Sequence, residues 1–474
     1  MSLNSILNMA RAGMNAQQTA IQIASQNISN AENTGYSRQR VELAASLPTL
    51  FPYGNIGTGV DIKSVTRARD ALLDTSYRNN AGAQAGSEAT STALSQIQSV
   101  FGEPSDTGLS ASLDAFWSSW SDLANDPTNG AAKAVVVSQG NNLARTLNQF
   151  ASQLDQLDQS NRETMNADVS QVNSLSKQIA NLNREIVAAQ SNGQPANDLL
   201  DARDNALDQM SQLVGGQVVY HENGSVAVYS GSRMILDDVN VKTLEVQDGK
   251  PPYVAYQGGT PALEGIGGKI GAELGVSAKS IPDAMTKLDS LAKGLVQTVN
   301  AIHSTGQLFT GSPPTAIPAG NFFAVTNPVP SGTDPLMTAR GIRLAITDTS
   351  QVATAGATAT GPGNTDVATQ LAGLRDGSVS FTDASGNSLG ADSIGGFYAQ
   401  LVGSVATATH QAQDDATVQG ALADNAQSRR LSVSAVSTDE ELISVIQHQH
   451  AYQAAARLVS VVDELSQTLI DLGR

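Results

Sequence analysis

The sequence predicts a mainly α fold, a long-helix bundle with coiled-coil character, paired N- and C-terminal helices and a small inserted β domain. Three observations support this prediction. Apolar residues at both ends of the chain recur at alternating steps of three and four, which is the spacing of a coiled-coil seam. Helical spacing also runs through residues 143–189. Residues 217–256 instead hold short β-prone runs that turn residues separate.

The two ends of the chain carry the signals that bound amphipathic helices. The first helix is predicted to end at Asn33-Thr34-Gly35, because glycine readily takes the left-handed conformation that stops a helix. The last helix is predicted to begin at Thr438, which forms a capping box with Glu441 ahead of an apolar seam. We expect these helices to pair along Leu3, Leu7, Met14, Ile21 and Ile28 at one end and Leu442, Val445, Tyr452, Val459, Val462 and Leu469 at the other.

Several seam positions carry small or polar side chains, among them Ala10, Gln17, Ala24 and Ala455. Burying such side chains stabilises little, because the hydrophobic effect contributes about 25 cal/mol per Å² of apolar area. Helices that are this weakly apolar are marginal on their own. We therefore expect the terminal helices to become fully ordered only when neighbouring subunits pack around them.

The chain between the terminal helices divides at Gly215-Gly216, where helical spacing gives way to β-prone runs. The helical segments before and after those runs resemble each other, so we expect one helical domain that carries an inserted β domain. The predicted units are an N-terminal coiled-coil helix at 1–35 that pairs with 438–474, a first helical part at 36–215, a small β insert at 216–269, a second helical part at 270–437 with a surface loop at 306–363, and the C-terminal coiled-coil helix at 438–474.

Composition argues against several kinds of function. The formal net charge is −17 and no cluster of Lys or Arg exists, so neither nucleic acid nor an anionic membrane surface is an expected partner. The chain has no cysteine, which excludes disulfides and thiolate chemistry. No apolar run is long enough for membrane insertion, and residues 1–14 lack the apolar core of a secretory signal. If the protein is exported, we expect an uncleaved route.

The sequence does not assemble a metal site or a cofactor site. Its five histidines are dispersed, and His448 and His450 lie two apart on a helix, where they point to different faces. Ser174 and Lys177 match an S-x-x-K pattern by chance in a Ser-rich helix. The glycine-rich stretch 265–271 fits neither dinucleotide nor Walker spacing. We expect no metal, no cofactor and no catalytic activity.

Asp201, Arg203 and Asp204 form the densest ionic cluster of the sequence. One interpretation is a pair of catalytic carboxylates whose pKa an arginine tunes. The favoured interpretation is a helix start that Asn197 or Asp198 caps, with Arg203 in surface ion pairs. No nucleophile accompanies the cluster, which argues against the catalytic interpretation.

Residues that follow the N-terminal seam match a known pattern. The segments 27–30 (Asn-Ile-Ser-Asn) and 35–39 (Gly-Tyr-Ser-Arg-Gln) resemble the N-terminal signature of the bacterial flagellar axial proteins. Three further stretches resemble the members of that family that join the hook to the filament; they lie within 59–71, 178–204 and 433–456. The residues that carry the family motif are Asn27, Asn30, Gly35, Tyr36, Arg38, Asp198, Asp201, Arg203 and Asp204.

This resemblance implies a structural subunit of the flagellum that joins hook to filament and polymerises through its terminal helices. It implies export through the flagellar type III apparatus, so that the protein is secreted and lies at the hook–filament junction. The implied partners are other copies of the chain, the hook protein, the second junction protein, the filament cap protein and an export chaperone.

Two alternatives to a hook–filament junction subunit stay open. The first is another axial subunit, either flagellin or the second junction protein, which the long helices of residues 143–214 disfavour. The second is a hydrolase carried in the β insert. Its carboxylates stand mostly at turn positions, so the insert offers no catalytic constellation.

Overall fold

The computed structural model describes residues 3–51, 54–259, 262–325 and 338–472. The parts of the predicted units at 1–2, 52–53, 260–261, 326–337 and 473–474 lie outside the described residues. The helices of the described part are α1 (Leu3–Ser29), α2 (Ala71–Phe101), α3 (Leu109–Asn125), α4 (Gly130–Ser191), α5 (Asn197–Val214), α6 (Gly268–Gly275), α7 (Ile281–His303), α8 (Asp366–Gly373), α9 (Ile394–Ser434) and α10 (Thr438–Leu472), and a π-helical turn (Val276–Ser280) joins α6 to α7.

The strands are short and pair antiparallel. Between α5 and α6 they form a four-stranded sheet of order β5-β6-β7-β8 and a separate hairpin of β9 and β10. The other sheets are two-stranded: β1 with β4, β2 with β3, β11 with β12, β13 with β14, and β15 with β16. Their bounds are β1 (Gln39–Ala45), β2 (Thr49–Phe51), β3 (Gly54–Ile56), β4 (Val60–Arg67), β5 (Gln217–Tyr220), β6 (Val226–Ser230), β7 (Arg233–Asp237), β8 (Asn240–Val241), β9 (Leu244–Gln247), β10 (Tyr253–Tyr256), β11 (Gln307–Thr310), β12 (Thr315–Pro318), β13 (Phe323–Val325), β14 (Ile342–Leu344), β15 (Val379–Thr382) and β16 (Ser388–Asp392).

Helix α4 is the central rod of the molecule. It has 62 residues and is therefore about 93 Å long at 1.5 Å per residue. Asn129 caps its start by accepting the backbone N–H groups of Ala131 and Ala132. The buried apolar residues of its first half, up to Leu154, belong to one hydrophobic core, and those from Met165 to Ala180 belong to a second. The rod thus spans two cores, which explains how a helix of this length is stable outside a coiled coil.

The first core lies between α3, α7, α8 and the start of α9. Phe116, Trp117 and Trp120 fill its centre and are almost completely buried. Phe116 packs edge-on against Trp120 with ring centroids 6.3 Å apart. These aromatic side chains anchor the helical domain because each buries a large apolar area.

The segment 306–363 differs from the predicted surface loop. It contributes Phe322 and Phe323, which are fully buried against Phe116. His303 holds this segment in place: its Nδ1 lies 2.7 Å from the carbonyl of Gly320, and its Nε2 accepts the backbone N–H of Ala353 at 3.1 Å. Glycine and proline content indicated a loop, but pattern reasoning overlooked the two adjacent aromatic residues that bring this segment into the core.

The strands that follow α5 share the second core with α4 and α5. Polar side chains of the rod complete the edges of these strands. Asn183 donates to the carbonyls of Val226 and Asp238 at 3.0 and 2.7 Å, and Asn173 donates to the carbonyl of Leu244 at 2.8 Å. The strands therefore pack directly on the helical domain, and the division of the chain into separate units stays a proposal.

The terminal helices α1 and α10 lie side by side in antiparallel directions. Asn27 near the end of α1 contacts Glu441 at the start of α10. Gln17, which is earlier in α1, contacts His448, which is later in α10. The fold class predicted from the sequence is thereby confirmed. The helices α2 and α9 form a second long antiparallel pair, in which Thr409 bonds to the carbonyl of Leu94.

Helix α2 approaches α5 so closely that only glycine fits at position 82. A Cβ atom there would lie 2.7 Å from the backbone oxygen of Ser211 and 3.2 Å from Cα of Gly215. We expect Gly82→Ala to lower the free energy of unfolding by about 1–3 kcal/mol, because the backbones must separate. The helical Gly403, which has no atom within 4 Å of such a Cβ, is the control, and Gly403→Ala is expected to raise stability by up to about 1 kcal/mol. Urea unfolding of both variants measures the difference; equal midpoints would contradict the close approach.

Candidate assembly site: a terminal helix pair and a buried ionic junction

The contact between α1 and α10 depends mainly on small side chains. The buried residues of α1 are Ala10, Ala16, Ala20, Ala24 and Asn27. Alanine side chains let the two backbones approach closely, which improves packing but buries little apolar area. The predicted seam residues of α1 lie beside this stripe and are half-buried: Leu3, Leu7, Met14, Ile21 and Ile28.

The predicted seam of α10 divides into two groups. Val445, Tyr452 and Val459 are half-buried against α1, and Val462 is buried. Leu442 and Leu469 are instead 51% and 58% exposed. Leu469 lies beyond the first described turn of α1 because the two helices run antiparallel, so it has no partner residue on that helix.

A second apolar stripe runs along the opposite side of α10. Its residues recur at helical spacing and point away from α1. Each exposes about half of its surface or more, and they form two apolar patches on this side, Ile443 with Ile446 near the start of the helix and Leu458, Val461, Leu465 and Leu472 in its second half. We call this set the outer face of α10. A helix that is apolar on two sides has room for a second packing partner.

Asn27 joins three segments at the base of the helix pair. Its Nδ2 donates to the carbonyl of Gln39 at 2.8 Å and to Glu441 at 3.0 Å. Its Oδ1 accepts the backbone N–H of Gln39 at 3.0 Å and the hydroxyl of Tyr36 at 2.8 Å. Burial, together with the charges of Asp198, Asp201 and Glu441, raises the pKa of Tyr36 to about 12, so its hydroxyl stays a donor.

Arg38 connects the same base to α9 and α10. Its Nε lies 2.7 Å from Glu441 and its Nη1 lies 3.0 Å from Glu440. Its backbone N–H donates to the carbonyl of Ser434, the last residue of α9. The acidic first turn of α10 therefore serves a tertiary contact in addition to the helix dipole.

Four arginines and four aspartates form a buried cluster behind the helix pair, which we call the ionic junction. Asp201, Asp204 and Asp208 share one face of α5 because they are three and four residues apart. Arg67 contacts Asp201 at 2.6 Å and Asp204 at 2.9 Å. The full set is Arg67, Arg69, Arg78, Arg430, Asp74, Asp201, Asp204 and Asp208.

Asp204 stands at the centre of the ionic junction. Arg78 lies 3.1 Å from one carboxylate oxygen, and Arg67 and Arg69 lie 2.9 and 3.5 Å from the other. Burial raises the pKa of the Asp204 carboxyl, but the guanidinium groups of Arg69, Arg67 and Arg78 together hold that pKa below its usual value. Asp204 is therefore a carboxylate at neutral pH, and its charge compensates those of the surrounding arginines.

The ionic junction also reaches the base of the helix pair. Ser37 donates its backbone N–H and its hydroxyl to Asp201, at 3.0 and 2.6 Å. Arg430 of α9 completes the cluster by contacting Asp74 at 2.9 Å and Asp208 at 2.7 Å. The cluster thus ties the segment after α1 to α2, α5 and α9.

The favoured interpretation of Asp201, Arg203 and Asp204 was wrong in its details. All three residues are buried, and Arg203 forms no surface ion pair; it donates to Asn183 at 3.3 Å and to the carbonyl of Gly224 at 2.6 Å. Neither Asn197 nor Asp198 caps α5, since Ala196 occupies the cap position. The acceptors for Arg203 come from α4 and the turn before β6, which local sequence does not reveal.

The remaining motif residues support this arrangement. Asn30 donates to the carbonyl of Gln26 and closes the end of α1. The carbonyl of Gly35 accepts from Asn205 at 3.2 Å, and Asp198 accepts from Gln39 at 3.3 Å. Sequence reasoning missed Arg78, Asp74, Asp208 and Arg430. Charge at helical spacing on α2 and α5 is a signal for Asp74, Arg78 and Asp208, whereas Arg430 on α9 has no such local signal.

Within the described ranges, no group of three or more His, Asp or Glu residues is arranged to hold a metal ion. Among the same residues, none of the helices combines the length and hydropathy that crossing a membrane requires. The two notable features of these residues are the paired charges of the ionic junction and the outer face of α10, which α1 leaves uncovered.

Two family models match the chain. The flagellar hook-associated protein FlgK helical domain matches residues 94–322, and the flagellar basal body rod FlgEFG protein C-terminal matches residues 427–472. The chain is 31% identical to flagellar hook-associated protein 1 of Bacillus subtilis (strain 168), over 98% of this chain and 97% of that protein. It is 27% identical to flagellar hook-associated protein 1 of Salmonella typhimurium (strain LT2), over 69% of this chain and 60% of that protein.

A solved structure shares the fold. The flagellar hook junction protein FlgK from Burkholderia pseudomallei superposes with a TM-score of 0.65 at 17% sequence identity, over 76% of this chain and 100% of that one. The helical fold, the terminal helix pair and the family matches define a structural protein of the bacterial flagellum. The chain belongs to the flagellar hook-associated protein 1 family. The resemblance to the flagellar axial proteins is thereby confirmed.

Proposed function

We propose that this chain joins the flagellar hook to the filament and polymerises there through α1 and α10. The observation that carries the proposal is that α10 has two apolar faces, of which α1 covers one. An exposed apolar face of this extent is typical of a surface that another protein covers. Copies of one chain that pack head-to-tail through such helices generate rings or helical tubes.

The ionic junction supports the same proposal. A subunit between two different polymers must hold its packing helices at a fixed orientation to its helical domain. Charged groups that are buried and mutually paired specify one geometry, because any displacement leaves a charge without a partner. In this chain Asp201 and Asp204 connect the segment that follows α1 to the helical domain through Ser37 and Arg67.

The proposal includes the implied partners: other copies of the chain, the hook protein, the second junction protein, the filament cap protein and an export chaperone. It also includes export through the flagellar type III apparatus. A chain without cysteine and with a net charge of −17 suits this route, since it forms no disulfide and its charge keeps monomers soluble.

The proposed role is structural, and the family supports this. The hydrolase alternative depends on the carboxylates of the β insert. Asp237 pairs with His221 at 3.0 Å, and Glu245 accepts from Gln247 and from the backbone N–H of Gly258. These neighbours engage both carboxylates in local turns and hairpins, which is typical of a structural role.

Immunogold labelling of intact flagella tests the proposed position. The experiment uses cells that lack the gene for this chain and carry a plasmid copy, with cells that lack both as the unlabelled control. We expect gold particles only at the boundary between hook and filament. Label along the whole filament would favour a flagellin role, and absence of label at the boundary would refute the proposal.

A further inference from the structure

The middle of the rod α4 carries a feature that the proposed role does not use. Apart from Leu157, which packs against the first core, its residues between Leu154 and Met165 belong to neither hydrophobic core. A cavity of about 350 Å³ opens there between α2, α4 and α6, with Asn161, Thr164, Lys269 and Glu273 in its wall. The π-helical turn Val276–Ser280 follows directly after α6. A π turn inserted between two helices often marks a functional position.

Two acidic side chains are buried beside this cavity. Asp168 of α4 is 7% exposed and Glu273 of α6 is 4% exposed. Lys269 lies 2.8 Å from Asp168 but 3.9 Å from the nearer oxygen of Glu273. The other oxygen of Glu273 is buried and, among the described residues, accepts no hydrogen bond. One lysine therefore faces two carboxyl groups and contacts only one of them closely.

We propose that Asp168 and Glu273 form a proton-binding site. One proton shared by the two carboxyl groups holds α6 against α4 at the middle of the rod. The carboxylic acid of Glu273 donates its O–H to the carboxylate of Asp168. Lys269 compensates the single negative charge that remains. This arrangement satisfies the buried oxygen of Glu273, which two carboxylates would leave without a donor.

The charges around the site favour a state in which the two carboxyl groups together keep one proton. Burial of Glu273, its hydrogen bond with Asp168 and the charge of Asp168 raise the pKa of Glu273 to about 8, although Lys269 opposes the shift.

The other acidic groups near this site contribute no hydrogen bond to it. From α2, Glu88 stands exposed at the rim of the cavity and accepts from Gln84. From α4, Asp158 is paired with Arg162 at 2.8 Å. From α5, Asp208 belongs to the ionic junction, and Lys279 in the π turn is exposed.

The shared proton determines how α6 packs on α4. Below pH of about 8 the shared hydrogen bond holds α6, which contributes Ile270 to the second core, against the rod. Above that pH both groups are carboxylates beside one lysine, and their repulsion separates α6 from α4 and widens the cavity. Because the pKa of Glu273 in the folded chain is above its unfolded value, the stabilisation is present at low pH and is lost as pH rises.

Hydrogen exchange of α6 in the full chain tests the site between pH 6 and 9.5, after correction for the intrinsic pH dependence of exchange. In the wild type we expect the opening equilibrium of α6 to rise as pH rises towards 8, by up to about tenfold per unit for one proton released. Glu273→Gln places a permanent N–H donor at the same position, so its opening equilibrium is expected to be independent of pH. Glu88→Gln, at the exposed rim, is the matched control and is expected to behave as wild type.

Infrared difference spectra of the wild type provide a readout that needs no variant. The wild type and Glu88→Gln are expected to lose the stretching band of a protonated carboxyl group as the pH is raised from 6.5 to 9.5. Glu273→Gln is expected to lack the component of that band that is lost near pH 8, and to retain the component of Asp289, whose pKa burial raises to about 6. Parallel pH profiles of wild type and Glu273→Gln, or the absence of the band in wild type, would overturn the proposal.

Discussion

Replacing Asp204 by asparagine is expected to lower the free energy of unfolding by about 3–5 kcal/mol, the usual cost of removing one partner from a buried ion pair. The substitution preserves the shape of the side chain and removes its charge. Arg67, Arg69 and Arg78 would then lose the carboxylate that faces all three of them. Urea unfolding at neutral pH, followed by circular dichroism, measures the effect.

A matched ion pair on the surface provides the control. Asp114 lies 2.9 Å from Arg375, and their side chains are 60% and 53% exposed. Asp114→Asn is therefore expected to change stability by less than about 1 kcal/mol, since solvent screens exposed charges. If the two variants lose the same stability, the ionic junction is no more important than a surface pair.

The same carboxylate gives the junction a defined dependence on pH. The pKa of Asp204 is held below its ordinary value in the folded chain, so its contribution is present at neutral pH and is lost as the pH falls below the ordinary carboxyl range. The difference in stability between wild type and Asp204→Asn is expected to shrink with acidification. A difference that stays constant down to acidic pH would contradict the charge-based account.

Placing charges on the outer face of α10 is expected to abolish assembly and to leave the monomer folded. Leu458 and Val461 are both about half exposed and point away from α1. The double variant Leu458→Asp, Val461→Asp removes apolar area worth about 1.5–3 kcal/mol per fully buried side chain. It also places two carboxylates in an apolar contact, so the affinity between subunits is expected to fall by at least about a hundredfold.

Motility of complemented cells and sedimentation of the purified chain measure this effect. Ser460→Asp adds one charge to the same helix at an exposed position away from the outer face and serves as the control. Circular dichroism checks that every variant keeps the helix content of the wild type. Normal filaments on cells that carry the double variant would show that the outer face of α10 is not an assembly surface.

Much of this fold could be predicted because its signals are local. The seam from Val445 to Val462 and the rod from Leu143 to Ala189 follow a helical period that any stretch of sequence displays on its own. The β-prone runs predicted within residues 217–256 correspond to strands, since Asn223-Gly224 and similar turns separate them. The segment 306–363 was misjudged because its composition is that of a loop, whereas Phe322 and Phe323 place part of it in the core.

The candidate site was predictable only in part. The motif residues from Asn27 to Arg38 were identified through a family resemblance, and the structure gives them contacts with Glu441 and Asp201. The small size of the seam residues also indicated that α1 would contribute little apolar area, and its buried stripe is indeed mostly alanine. The spacing alone did not reveal that Leu442 and Leu469 stay exposed.

Hydrophobic period and turn chemistry act over a few residues, so the sequence alone indicates two amphipathic terminal helices, a long rod and a strand-rich insert. Which charges are buried together depends instead on the folded arrangement of the chain. Arg67, Asp74, Asp204 and Arg430 come from β4, α2, α5 and α9, and no local pattern relates them. Their pairing follows from chain topology, since a buried charge is tolerated only where the fold supplies its partner.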